Sequence, residues 1–148
     1  MREITFEEVK NLESCLHELA AHHNQVSRFF KGQYPKRKVS ETLASFERDM
    51  ISGRSKIAVI ESGGRVYGFC KINISGSDGE IDHLIVSKDM RGGGYGKAFV
   101  DWALDIFRQN AVRRIEVKVV DGNDAEGFYE KCGFKTSSHI LRMDLKDI

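Results

Sequence analysis

The spacing of the apolar residues changes from helical to strand-like at Gly53, and this change limits the folds open to the chain. Two amphipathic helices are predicted before that point. Their apolar positions are Phe6, Val9, Leu12, Leu16 and Leu19 in the first and, after Ser40, Leu43, Phe46 and Met50 in the second. Thr5 and Glu8 form the T-x-x-E pattern of a capping box, which places the start of the first helix. Ile4, just before it, indicates a short first strand.

Strand signals dominate after Gly53. Three segments rich in β-branched residues, 56–60, 66–74 and 80–86, are separated by glycine-containing turns and predict antiparallel strands. A helix up to Asn110, a strand over 115–119, a short helix over 123–132 and a last strand should follow. That last strand is expected to run from Phe134 through Ile140, Leu141 and Met143. This order predicts an α/β fold of the mixed α+β kind, with a mostly antiparallel, twisted, mixed central sheet and helices on both faces.

Composition narrows the class of protein. The 148 residues fit one domain, 1–148, because they contain a single proline and no tract long enough for a linker. The 23 Lys and Arg against 22 Asp and Glu give a formal net charge of +1, which supplies no basic field for nucleic acid. No apolar run reaches membrane-spanning length, and residues 1–10 lack the apolar core of a signal peptide. Three widely spaced cysteines suit free thiols in a reducing compartment, so we expect a cytoplasmic protein. Together with the charge and the short apolar runs, this predicts no membrane or nucleic-acid partner.

A glycine-rich segment, Arg91-Gly92-Gly93-Gly94-Tyr95-Gly96-Lys97, joins a predicted strand to a predicted helix. Glycines let backbone N–H groups approach an anion, and the helix N-terminus adds a favourable field, so the segment predicts a phosphate or pyrophosphate site. A flexible turn before a helix is the alternative. The segment is not a Walker A loop, because Ala98 follows the lysine, and its glycine spacing is not that of a Rossmann loop.

The pattern that remains, R-x-x-G-x-G from Arg91 to Gly96 after Leu84-Ile85-Val86, resembles the acetyl-CoA loop of the GNAT superfamily of N-acetyltransferases. A second match follows in order, in which Asn123, Ala125, Phe128-Tyr129 and Gly133-Phe134 resemble another segment of that family. The order of predicted elements agrees with the family's fold over essentially the whole chain. The resemblance implies acetyl-CoA as cosubstrate. No metal is expected, because His17 and His22 are five residues apart and so do not share one helix face.

The resemblance also implies roles for individual residues. The backbone of Leu84, Ile85 and Val86 would pair with the pantetheine arm. The loop from Arg91 through Gly92, Gly93, Gly94, Tyr95 and Gly96 to Lys97 would bind the pyrophosphate through its N–H groups. Asn123 would cap the last helix and could reach the cofactor. Tyr129 would protonate the departing thiolate, with core packing as the alternative reading of this residue.

A base must take a proton from the acceptor, because an ammonium has no lone pair for attack. Glu80 and Asp82 stand two apart on one strand, and so on one face, in the position of the family's candidate bases. A charged strand end that binds a cationic acceptor, with a water relay for the proton, explains them equally well. By the same alternation His83 is expected on the opposite face.

The expected function is therefore an acetyl-CoA-dependent N-acetyltransferase that acts on a primary amine by direct transfer. The acceptor is left open between a small amine, an aminoglycoside-like molecule and a protein amine. The aromatic residues Phe29, Phe30 and Tyr34, with His22 and His23, either line its pocket or close the core. A noncatalytic acyl-CoA-binding or regulatory module is the alternative of a different class, and a homodimer is an open possibility for assembly.

Overall fold

The fold is built on one five-stranded sheet, seen in a computed structural model that describes residues 1–120 and 125–147. The sheet order is β1-β2-β3-β4-β5. Its strands are β1 Arg2–Glu3, β2 Ser55–Ser62, β3 Arg65–Ser75, β4 Asp78–Val86 and β5 Arg114–Val117. The first four are antiparallel neighbours, and β5 runs parallel to β4. The predicted mixed, mostly antiparallel sheet is confirmed.

Four α-helices flank the sheet: α1 Glu13–Val26, α2 Val39–Ile51, α3 Tyr95–Gln109 and α4 Ala125–Lys131. The predicted first helix begins as a 3-10 helix, Phe6–Leu12, and becomes α-helical at Glu13. Its capping box is present, with the Thr5 N–H donating to Glu8 Oε1 at 3.2 Å. Two further 3-10 turns are Lys88–Met90 and Leu145–Asp147. In the described ranges no helix has the length and apolar character needed to cross a bilayer.

Each face of the sheet carries its own core. On one face α1 and α2 pack over fully buried side chains such as Leu12, Phe46 and Phe69. On the other face α3 and α4 pack over Cys70 and Ile72, among other residues. Neighbouring residues of β3 thus point to opposite cores, as strand geometry requires. Helices on both faces are confirmed.

The expected last strand is wrong. Residues 134–144 carry no strand, and Ile140, Leu141 and Met143 remain exposed. Two of these apolar residues are adjacent in sequence, so a strand would turn them to opposite faces. Phe134 belongs to the end of α4, because its N–H donates to the Tyr129 carbonyl at 3.0 Å and its ring packs on that of Tyr129.

Candidate active site

A β-bulge in the middle of β4 shapes one side of the site. Lys71 of β3 pairs with His83, and the next residue, Ile72, pairs with Ile81, so Asp82 is an extra residue on β4. The bulge shifts the alternation and places His83 on the face of α1 and α2. The prediction that His83 lies opposite the carboxylates is therefore wrong. Its ring stacks on Phe69 with centroids 6.0 Å apart.

A fully buried lysine lies beside this bulge. Lys71 Nζ donates to Asp82 Oδ2 at 2.7 Å, to Asn73 Oδ1 at 2.7 Å and to Asp49 Oδ2, on α2, at 3.1 Å. It also lies 4.9 Å from the centre of the Phe46 ring. A buried ammonium is tolerated only with such partners, so the lysine ties α2 to the two central strands.

The two predicted base candidates have different surroundings. Burial alone would raise the pKa of Asp82, but the neighbouring His83 and the Lys71 ammonium bring that pKa well below its ordinary value. Asp82 is therefore held ionised. Glu80 lies outside this ion cluster and accepts a hydrogen bond from Asn73 Nδ2 at 2.8 Å. The Oδ1 atom of the same asparagine accepts a hydrogen bond from Ser55 Oγ at 2.6 Å, which fixes the orientation of the amide.

A cleft of about 550 Å³ opens between these strand residues and the two N-terminal helices. Its floor includes Glu80, Asp82 and His83, and its walls carry apolar side chains of α1 and α2 such as Leu16, Leu19 and Phe46. Tyr34 and His23 also line it, with ring centroids 5.1 Å apart. Burial, followed by the charges of His22 and His83, lowers the pKa of His23 to about 4, so its ring is neutral near pH 7.

One edge of β4 is open beyond the bulge. The parallel pairing with β5 ends at Ile81 opposite Val117. From residue 82 to 86, β4 has β3 on one side and, among the described residues, no strand on the other. The segment Leu84, Ile85 and Val86 therefore leads along a free strand edge towards the glycine loop.

The glycine loop has the backbone that an anion site requires. Gly92 and Gly94 have φ of +84° and +78°, which a side chain would strain, and Gly94 is the N-cap of α3. The first-turn N–H groups of that helix, including those of Tyr95, Gly96 and Lys97, lack intrahelical partners. Arg91 folds back so that its Nε donates to the Val86 carbonyl at 3.1 Å, which joins the loop to the open edge.

Tyr129 lies on α4, packed against the second core at 7% exposure. Its ring contacts those of Phe128 and Phe134 edge-on at 5.1 and 5.6 Å. Burial, with the nearby Cys70 and Cys132, raises the pKa of its phenol, so the hydroxyl keeps its proton at neutral pH. The remaining predicted site residue, Asn123, lies outside the described residues.

Lys71, Asn73 and Asp49 were not identified as site residues from the sequence. A signal for the first two existed, because both are polar residues inside the apolar 66–74 strand. Their partners depend on the register between β3 and β4, which no local pattern specifies. For Asp49 the sequence offers no comparable signal, because an acidic residue near the end of an amphipathic helix is ordinary.

Comparison with known proteins identifies the class that this arrangement defines. The profile of the Acetyltransferase (GNAT) family matches residues 19–134, which is more than half of the chain and includes β4 and the glycine loop. The chain belongs to the GNAT acetyltransferase family, whose members use acetyl-CoA.

Individual relatives are more distant. A Bacillus subtilis (strain 168) protein named "putative ribosomal protein bS18 alanine N-acetyltransferase" is 30% identical over 96 residues, 64% of this chain and 64% of that protein. The match thus spans less than two thirds of this relative's length.

Solved structures share the fold. One is a tetramutant of a Bacillus halodurans protein, with a TM-score of 0.78, 18% identity and 97% coverage of both chains. Another, from Clostridium acetobutylicum, is described as a "predicted acetyltransferase with acetyl-CoA", with a TM-score of 0.77, 14% identity and coverage of 99% of this chain and 96% of that one.

Proposed function

We propose that the protein transfers the acetyl group of acetyl-CoA directly to a primary amine. The observation that carries the proposal is the arrangement along β4, where Glu80 faces a cleft of about 550 Å³ and the following residues form a free edge that leads to the glycine loop. Membership of the GNAT family supports acetyl-CoA as the donor. The name of the Bacillus subtilis relative supports an amine nitrogen as the acceptor.

The chain fits acetyl-CoA at two places. The backbone of 84–86 offers unpaired strand edge to an extended amide-containing chain such as pantetheine. The loop Arg91 to Lys97 offers glycine backbone and helix N–H groups to a pyrophosphate. When bound, acetyl-CoA supplies an acetyl group activated as a thioester.

Glu80 is the favoured base. It lines the acceptor cleft and is positioned by Asn73 at 2.8 Å, so its carboxylate can take the proton from an incoming ammonium. Asp82 is a weaker base, because His83 and Lys71 lower its pKa, and Lys71 Nζ already occupies its Oδ2 at 2.7 Å. Its role here is to hold the positive charge of Lys71 beneath the cleft.

Tyr129 is the favoured acid. Burial raises the pKa of the Tyr129 phenol, which makes it a weaker acid than an exposed tyrosine but keeps it fully protonated at neutral pH, so it holds a proton to give to the departing thiolate. The neutralised amine then attacks without a covalent enzyme intermediate. The cysteines do not favour such an intermediate, because burial raises the pKa of the Cys15, Cys70 and Cys132 thiols.

The test is acetyl-CoA consumption over a panel of amines, followed by release of free thiol and by the mass of the acetylated product. Glu80→Gln should lower kcat/KM by about 10²-fold or more and remove the acidic limb of its pH profile, while acetyl-CoA affinity stays unchanged. A protein that binds acetyl-CoA and acetylates no amine would instead be a noncatalytic acyl-CoA-binding module. An unchanged pH profile in the variant would remove Glu80 as the base.

A further inference from the structure

The acceptor cleft carries opposite charges at its two ends. Three carboxylates, Asp49, Glu80 and Asp82, line one end, where β4 meets the last turn of α2, and they outnumber the Arg54 guanidinium that also lines the cleft there. Lys36 and Arg37 line the other end, just before the first turn of α2. Ten residues separate Val39 from Asp49 on this helix, which corresponds to about 15 Å along its axis. The cleft is therefore polarised along its length.

The two cations have no carboxylate partner in the described part of the chain. No ion pair within 4.0 Å among residues 1–120 and 125–147 includes Lys36 or Arg37. Lys36 Nζ lies over the Tyr34 ring at 5.4 Å, and one Arg37 nitrogen donates to the Glu41 carbonyl. Burial and then the charge of Arg142 lower the pKa of Lys36. An anion bound at Lys36 would relieve its repulsion from Arg142.

The middle of the cleft is mainly apolar. Leu16, Leu19 and the ring of Phe46 line it between the charged ends, and Thr42 and Ser45 of α2 add two hydroxyls beside them. A chain of methylene groups or an aliphatic side chain would bury its surface there, whereas a second positive charge would meet Lys36 and Arg37.

From this polarity we infer that the acceptor is an amphoteric primary amine: its ammonium binds near Glu80, an apolar portion lies along α2, and a carboxylate or phosphate binds Lys36 and Arg37. This inference rests on the proposed acetyl transfer for its chemistry. The required anion can belong to a small ω-amino acid or to an acidic residue that follows a peptide N-terminus. Polyamines and aminoglycosides, which are cationic at both ends, are disfavoured.

The first experiment compares 8-aminooctanoate, octylamine and 1,8-diaminooctane, which differ only in the charge of the far end. We expect kcat/KM to be about tenfold higher for the amino acid than for octylamine, the gain of one charge-assisted contact, and lowest for the diamine. Lys36→Gln and Arg37→Gln should each reduce that preference. The matched control is Lys38→Gln, a neighbouring exposed lysine that does not line the cleft, and it should leave the preference unchanged.

A second arm separates the two sources of the anion by comparing the peptide amides Ala-Leu-Asp and Ala-Leu-Lys with the octyl compounds. If only the peptides are acetylated, with Asp preferred, the acceptor is a peptide N-terminus. If only the octyl amino acid is used, it is a small molecule. Two results would overturn the inference. One is a preference for octylamine or the diamine together with no preference for the Asp peptide. The other is a preference for the anionic acceptor that persists in Lys36→Gln and Arg37→Gln.

Binding measurements test the acceptor preference independently of acetyl transfer. Calorimetric titration of the same amines into the CoA-loaded protein should give the same order of affinities without any chemistry. That order with no acetyl transfer would overturn the proposed function alone. Acetyl transfer with no such order, and with no effect of Lys36→Gln or Arg37→Gln, would overturn the amphoteric acceptor alone.

Discussion

Lys71 sets the charge of the site from beneath it. Its ammonium has no solvent exposure and is shared between Asp49 and Asp82, each of which is only partly buried. Because one positive charge serves two carboxylates, the cluster keeps a net negative charge facing the cleft, which suits an incoming ammonium. Glu80 stays outside this cluster and accepts a hydrogen bond from Asn73, and it is the carboxylate that we propose as the base.

Lys71→Met should destabilise the fold strongly. The change leaves Asp49 and Asp82 facing each other without their cation, and breaking a buried pair on one side costs about 3 kcal/mol. Urea unfolding at pH 7 measures this loss. The control Lys56→Met, on the neighbouring strand, removes an exposed lysine that lies 3.7 Å from Glu3 and should cost no more than about 0.5 kcal/mol. Equal effects of the two changes would show that the cluster contributes no stability.

Tyr129→Phe separates chemistry from packing. The variant keeps the ring that contacts Phe128 and Phe134, so the melting temperature and acetyl-CoA affinity should remain close to those of the parent protein. Turnover should fall by about 10²-fold, because the leaving thiolate loses its proton donor. The measurement is kcat at saturating substrates, with chemistry shown to be rate-limiting. A kcat within about twofold of the parent value would leave Tyr129 a packing residue.

At the scale of elements, the sequence predicts what local periodicity controls. Both N-terminal helices, the three central strands and α3 follow from apolar spacing and turn signals, because each of these elements buries a regular face. Two predictions failed where a partner decides the outcome. The side of the sheet on which His83 lies depends on one extra residue of β4 opposite β3. A strand beyond Phe134 would need a neighbouring strand to pair with, which its apolar residues do not specify.

The site follows the same division. Glu80, Asp82, Tyr129 and the loop from Arg91 to Lys97 could be singled out as candidates, because their residue types and spacing resemble a family pattern. Their separation into a free carboxylate and an ion-paired one could not be predicted. It depends on Lys71 and Asn73, which reach β4 only through long-range pairing of the strands.

The loop before α3 can be tested with two glycines of the same backbone type. Acetyl-CoA at 100 times its Kd should stabilise the protein by about 2.7 kcal/mol, or about 5 to 10 °C in Tm. Gly94→Val forces a β-branched residue into φ of +78° and should abolish that shift, because the N–H groups that follow are displaced. Gly76→Val strains the turn between β3 and β4 at φ of +61° and serves as the control.

Neither glycine has an atom within 4 Å of an added Cβ, so the two variants differ in location and share the same kind of strain. Both should lower the Tm of the free protein. Only Gly94→Val should lose the acetyl-CoA shift, measured by differential scanning fluorimetry. A normal shift in Gly94→Val would place the cofactor elsewhere.

For the whole molecule, β4 is the element that joins the two cores. Glu80, His83 and Ile85 face α1 and α2, whereas Ile81 and Leu84 face α3 and α4. The acceptor cleft and the general acid candidate Tyr129 therefore lie on opposite faces of one strand. The open edge of that strand is where groups from the two sides can meet, so the proposed transfer depends on the separation of β4 from β5.

The lowered pKa values of His23 and Asp82 make the stability of the whole protein depend on pH. Burial and the charges of His22 and His83 lower the pKa of His23 to about 4, against an ordinary value near 6.5 in the unfolded chain. Between these values the unfolded state binds more protons than the folded state, so stability falls as pH is lowered from about 6.5 towards 4. Asp82, whose pKa is also lowered, adds a loss in the same direction at lower pH.

We therefore expect the free energy of unfolding to drop between pH 7.5 and pH 5, with about 1 kcal/mol of the drop due to His23 after allowance for solvent screening at a half-buried ring. Urea unfolding at both pH values measures the drop. His23→Gln should make it smaller by that amount, whereas His17→Gln, at a side chain that is 61% exposed on α1, should not change it. If the pH dependence of His23→Gln equals that of the parent protein, His23 titrates alike in the folded and unfolded chains, and the neutral ring assigned to the acceptor cleft is wrong.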